Sequence, residues 1–133
     1  MKILALLGGL LFFMMPFKLS LANQLYRQNV RPIFETKCFD CHSDQTRYPW
    51  YYRLPGVRQL MDHDIEEARE HIDLSHDFPF GGHHPLKEQL KDLKEVVEEN
   101  EMPLWRYRLL HWNSGLTDEE RRIILEWLEK SQF

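Results

Sequence analysis

Cys38, Cys41 and His42 stand together in the run Cys38-Phe39-Asp40-Cys41-His42. This is a C-x-x-C-H pattern, the spacing that attaches a c-type haem. One helical turn between the cysteines aims both thiols at one porphyrin edge, where each S–H adds across a vinyl group and leaves a thioether. The adjacent His42 is then placed to bring its imidazole to the iron. Other readings of these residues account for less. A redox dithiol usually sits in a βαβ pattern, and no strand precedes this one. A zinc site lacks its second cysteine pair and would have to borrow a distant histidine. A plain disulfide is the simple alternative for an exported chain. Covalent haem explains the cysteine pair, the histidine, an export signal and a heavy aromatic load together.

The second axial ligand separates electron carriers from sites that bind exogenous molecules. Met102 is the candidate. It precedes Pro103, whose fixed φ and missing N–H favour a rigid extended turn, and a soft thioether suits haem iron. Met61, on a helical segment, competes with it. So do His63, His71, His76, His83, His84 and His111, most of which lie in polar stretches expected at the surface.

These residues need a scaffold. Met1 to Ala22 read as a cleavable secretory signal: Lys2 gives the positive start, Ile3 to Phe17 an apolar run, and Ser20-Leu21-Ala22 a small-x-small cleavage site. An uncleaved anchor competes, but Lys18 interrupts the run early for a bilayer span. Cleavage would leave residues 23–133 as one exported, periplasmic domain. Gln24 to Cys38 carries a loose helical spacing in Leu25, Val30, Ile33 and Phe34, with a kink or a helix start at Pro32. Ser43 to Pro55, holding Tyr48, Trp50, Tyr51 and Tyr52, reads as a loop packed through its rings. Val57 to Ile72 forms a helix with Leu60, Met61, Ile65, Ala68 and Ile72 on one side, broken by Phe78-Pro79-Phe80-Gly81-Gly82. A further helix follows Pro85, with Leu86, Leu90, Leu93, Val96 and Val97 at steps of three and four. The last helix has the clearest start, because Thr117 and Glu120 make a capping box. Ile123, Ile124, Trp127 and Leu128 form its buried stripe. No strand is needed anywhere.

The 133 residues, 43% apolar and 29% charged, fit one packed domain. A formal charge of −4 argues against nucleic acid or an anionic membrane surface as the main partner, and favours redox proteins with basic docking surfaces. A membrane enters only if the signal segment is retained.

The segments CFDCHSDQTRYPWY (38–51) and EMPLWRYRLLHWNSGLTDEERRIILEW (101–127) resemble the haem-binding domain family. Its pattern is C-x-D-C-H-S, then T-x-Y-P-W-Y, a later M-P, and an L-[ST]-x-x-E helix. In the middle the family pattern has a histidine followed by Gly-Arg; here, in register with Arg69, Asp64 and Ala68 stand in those places, and His63 lies one place off. The resemblance implies an all-α, cytochrome c-like domain around one covalent haem c. Cys38 and Cys41 are then its attachment points, His42 its proximal ligand and Met102 its distal ligand. The expected function is transfer of single electrons between redox partners outside the cytoplasm. The alternative is a haem-based sensor with a displaceable sixth ligand. With both axial positions filled, no enzymatic role is expected. Tyr48, Trp50, Tyr51, Tyr52, Trp105 and Trp112 then become candidates for the haem wall.

Overall fold

The computed structural model describes residues 16–131. The expected all-α class is what is found: among the described residues the only strand-like pairing is an isolated antiparallel bridge between Asp73 and Gly81.

The first helical stretch, α1 (16–25), runs through a π-turn at Tyr26–Val30 into α2 (Arg31–Lys37). Its inward residues Ala22, Tyr26, Val30 and Phe34 are spaced by fours. In an α-helix of 3.6 residues per turn such a stripe would drift by about 40° at each step. The wider π-turn, closed by the Arg31 N–H on the Tyr26 carbonyl, takes up that drift. Pro32 then sits in the first turn of α2, where its missing N–H costs nothing, as its position in the sequence suggested. The expected boundary between Ala22 and Asn23 falls inside this continuous helix. The earlier part of the expected signal, residues 1–15, lies outside the described residues.

A one-turn helix, α3 (Phe39–His42), follows directly. The aromatic segment after it is irregular except for a 3-10 turn at Trp50–Arg53. Its rings do pack, with Tyr48 on Tyr52 at 4.3 Å and Trp50 on Tyr51 at 5.7 Å. They pack on one another at the surface, and Tyr48 and Trp50 stay exposed. Helix α4 (Val57–His71) has the expected extent, yet none of its residues is buried. Helix α5 (Leu86–Glu99) buries Leu90 and Val97 and ends at Asn100 in the left-handed region, φ 59°. A short helix the sequence reading did not anticipate, α6 (Trp105–Leu110), precedes α7 (Asp118–Lys130). The α7 capping box is present, with Glu120 N–H donating to Thr117 Oγ1 and Thr117 N–H to Glu120 Oε2. Ile124, Trp127 and Leu128 are buried.

The core lies between α1–α2, α5 and α7. Its centre is aromatic. Phe78 and Phe80, read from sequence only as a helix break, enter it: Phe78 meets Trp127 edge to face at 5.2 Å and Phe80 meets Tyr26 at 5.1 Å. Such contacts add about 0.5–1.5 kcal/mol each beyond their buried area. Gln89 holds the loop that delivers these rings, donating to the carbonyls of Gly81 (2.9 Å) and His84 (3.0 Å). The other half, made of α4, α6 and the 3-10 turn, has no comparable interior.

Candidate haem site

The C-x-x-C-H residues form the turn their spacing predicts. The N–H groups of Cys41 and His42 both donate to the Cys38 carbonyl, at 3.2 and 3.0 Å. The turn is pinned from the segment just after α4 as well. Leu74 N–H donates to the His42 carbonyl at 2.7 Å, and His42 Nδ1 lies 3.1 Å from the Ile72 carbonyl oxygen. A carbonyl only accepts, so Nδ1 carries the proton and the Nε2 lone pair is left for a metal. This second hydrogen bond is what orients a metal-binding histidine. Burial lowers the His42 pKa, with backbone hydrogen bonds from the end of α4 acting in the opposite direction. The ring is therefore neutral at pH 7, the state that ligates.

Both cysteines are free thiols. Burial, with a smaller contribution from Cys41, pushes Cys38 up to about 12. Burial followed by the charge of Asp40 pushes Cys41 up to about 11. Among the described residues no three His, Cys, Asp or Glu side chains gather as a zinc site would need, and a reactive dithiol needs a thiolate near neutral pH, which this environment disfavours. Thiols that end as neutral thioethers suit it.

Three further groups organise the site. Asp40, between the cysteines, accepts from Arg47 N–H (3.2 Å), Arg47 Nε (3.0 Å) and the Tyr107 hydroxyl (3.0 Å). Arg106 of α6 makes a bidentate pair with Asp64 of α4, Nη2 to Oδ1 at 2.6 Å and Nε to Oδ2 at 3.1 Å. Both of these charges act on Cys41. The sequence reading gave Asp40, Asp64 and Arg106 no role. The available signal was a carboxylate placed between two cysteines on one turn.

A large, flat, apolar cofactor fits what surrounds the turn. Met61, Ile65 and Ala68 follow one another at steps of four and three on α4 and are only half-buried, so this apolar stripe lacks full protein cover. On α6, Trp105, Leu109 and Leu110 are exposed. Of the expected wall residues, Tyr51 and Tyr52 are half-buried, whereas Trp112 is 89% exposed.

Met102 lies on the loop before α6 and is 38% exposed. Its carbonyl accepts from Arg108 Nη2 at 2.9 Å. Met61 is half-buried on α4. Of the histidines, His63 is exposed beside Glu67, His71 and His84 stack on each other at 5.0 Å, and His76 and His83 are exposed. His111, at the end of α6, differs. Its ring lies flat on Tyr107 at 4.0 Å, with Nδ1 3.1 Å from the Tyr107 carbonyl oxygen.

A model of the haem-binding domain family matches residues 18–130. The chain belongs to that family. Haem is accordingly the cofactor of this domain, and the match spans the C-x-x-C-H turn and Met102. Among curated proteins, cytochrome c peroxidase of Escherichia coli (strain K12) is 33% identical over 105 residues. That region is 74% of this chain and 22% of the peroxidase, so the chain spans about a fifth of its relative's length. No solved structure matches. The peroxidase overturns the expectation that this domain stands apart from enzymes. That expectation rested on Met102 closing the sixth iron position, and a loop residue more than one-third exposed is weak ground for excluding chemistry there.

Proposed function

We propose that this chain is an exported c-type haem domain, loaded once through thioethers at Cys38 and Cys41, that passes single electrons into a peroxide-reducing haem system. The observation that carries this reading is the His42 ring, held by the Ile72 carbonyl through Nδ1 on the turn that joins the two thiols. A haem so held supplies a reversible one-electron change at its iron. The protein's part is positional. His42 Nε2 is the proximal ligand. Asp40, anchored by Arg47 and Tyr107, fixes the attachment turn. Met61, Ile65 and Ala68 on α4 would help to exclude water from the haem.

Met102 is proposed as the distal ligand, because its loop leads directly into α6, which Arg106 and Tyr107 tie to α4 and α3. A thioether favours ferrous iron and raises the potential relative to two imidazoles. His111 is the second reading for this position. Its Nδ1 is held by a backbone carbonyl as in His42, which likewise leaves Nε2 for iron. The relative's peroxidase name supports a peroxide-reducing destination for the electrons, and the acidic chain, at −4, suits a partner with a basic docking surface.

Acid–organic extraction of the denatured holoprotein, followed by a haemochrome spectrum, tests the assignment. Haem should stay with the polypeptide and show the band of saturated, thioether-linked side chains. Haem that enters the organic layer would refute covalent attachment.

A further inference from the structure

Met102 stands in the short loop, 100–104, that joins α5 to α6. The residue is more than one-third exposed, so side-chain packing alone does not fix where its thioether lies. That task falls to the backbone. One end of the loop is closed on α5: Asn100 takes the left-handed conformation at φ 59°, and the N–H groups of Asn100 and Glu101 both donate to the Val96 carbonyl. From the other side Arg108 of α6 reaches back. Its Nη2 lies 3.0 Å from the Asn100 carbonyl oxygen, 3.1 Å from Asn100 Oδ1 and 2.9 Å from the Met102 carbonyl oxygen. Two N–H bonds serve three acceptors, so one of them is shared.

Fold stability alone does not account for this arrangement. Arg108 Nε is buried without a hydrogen-bond partner, and an unsatisfied buried donor opposes folding. Among the described residues the guanidinium bonds only to neutral oxygens of this loop, whereas Arg106, two residues earlier, pairs with Asp64. The result is a fixed distance between α6 and the Met102 backbone, with an uncompensated positive charge beside it. Both would act in one direction on an iron that Met102 ligates. A held loop keeps the thioether in place, and a nearby cation favours the ferrous state, which is the less positive one.

We propose that Arg108 is a positioning residue for the sixth iron ligand, holding the Met102 backbone through its carbonyl so that the thioether keeps its place against competing ligands. The proposal rests on Met102 being the distal ligand of this domain, and the test separates the two.

The full, haem-loaded chain is titrated in the ferric state with imidazole, which competes for the sixth position, while the long-wavelength sulfur band is followed. The reduction potential is measured alongside. Arg108→Met should bind imidazole about tenfold more tightly than the wild type, the size expected when charge-assisted hydrogen bonds are lost from the ligated state. Its potential should be lower. Arg121→Met is the control, because Arg121 Nη1 donates to the Val97 carbonyl near the same end of α5 but not to the Met102 loop. It should keep the wild-type imidazole affinity whatever its thermal midpoint. If Arg108→Met does not retain haem, Asn100→Gly decides: it accepts the left-handed backbone, removes one acceptor and should raise imidazole affinity by a smaller factor. No rise there would overturn the proposal. So would unchanged affinity and potential in Arg108→Met, or an equal shift in Arg121→Met. A wild-type ferric spectrum without the sulfur band, unaltered by Met102→Ala, would refute the ligand assignment itself and the positioning role with it.

Discussion

Replacing Arg106 with Met tests whether docking of α6 controls access to the iron. None of the residues of α6 is buried, so its position depends on a few polar contacts. Chief among them is the Arg106–Asp64 pair, joining residues far apart in sequence. Charge-assisted bonds of this geometry are worth about 1.5–3 kcal/mol when well buried. Exposed pairs contribute about 0.2–1 kcal/mol, and here Asp64 is largely covered while over a third of the Arg106 side chain meets solvent. A net value of about 1–2 kcal/mol follows, which corresponds to a roughly 5–30-fold rise in the fraction of molecules with α6 undocked. Met102 lies just before α6 and His111 just after it, so undocking frees the sixth position under either ligand assignment. Stopped-flow mixing of the reduced protein with carbon monoxide should show a binding rate raised by about the same factor. Asp64→Ala should give a similar rise, and the double variant little more, since both substitutions break one interaction. An unchanged rate in an Arg106→Met protein that retains its haem would show that α6 docking does not gate the iron.

Met102→Ala should abolish the weak long-wavelength sulfur band of the ferric protein while His111→Ala leaves it; the opposite pattern of ligand loss, seen in ferric spectra, would assign the position to His111. Chain made without haem should keep slow hydrogen exchange in α1–α2, α5 and α7, which bury Tyr26, Phe34, Leu90 and Trp127, and lose protection in α4 and α6; uniform loss of protection would show that the aromatic core cannot stand alone. Trp127→Phe should lower stability by about 1–2 kcal/mol, measured by denaturant unfolding of the holoprotein, because it removes the donor to Ala22 and part of the indole packing; an unchanged midpoint would mean that this bond contributes nothing net.

The elements that announced themselves in the sequence were those whose stability is local. The Thr117–Glu120 box and the stripe Ile124, Trp127 and Leu128 define α7 within one stretch of chain. The same holds for the C-x-x-C-H turn, where spacing alone dictates geometry. Helix α6 was not legible because its six residues make less than two turns, too few for Trp105 and Leu109 to set a period; partners in α3 and α4 hold it in place. Phe78 and Phe80 were hidden by their proline and glycine neighbours, which mark a turn without saying that the turn is inserted into the core. Ala22 shows a different limit: a small residue suits both a cleavage motif and tight helix packing, so its place in the core beside Trp127 could not be read from its type. The link to a peroxidase was out of reach from one chain, since most of that relative's length lies beyond the matched region.

The π-turn at Tyr26–Val30 stores one residue more than an α-turn of the same sweep. Five of its residues, at about 80° each, turn the chain about as far as four α-helical residues at about 100° each. Deleting one residue there, and letting the helix close with ordinary i to i+4 bonds, would leave the upstream face nearly in phase, with Ala22 still towards Trp127. The same single-codon deletion in α2, which holds no spare residue, would be a phase error of about 100° and would carry Ala22 away from that bond.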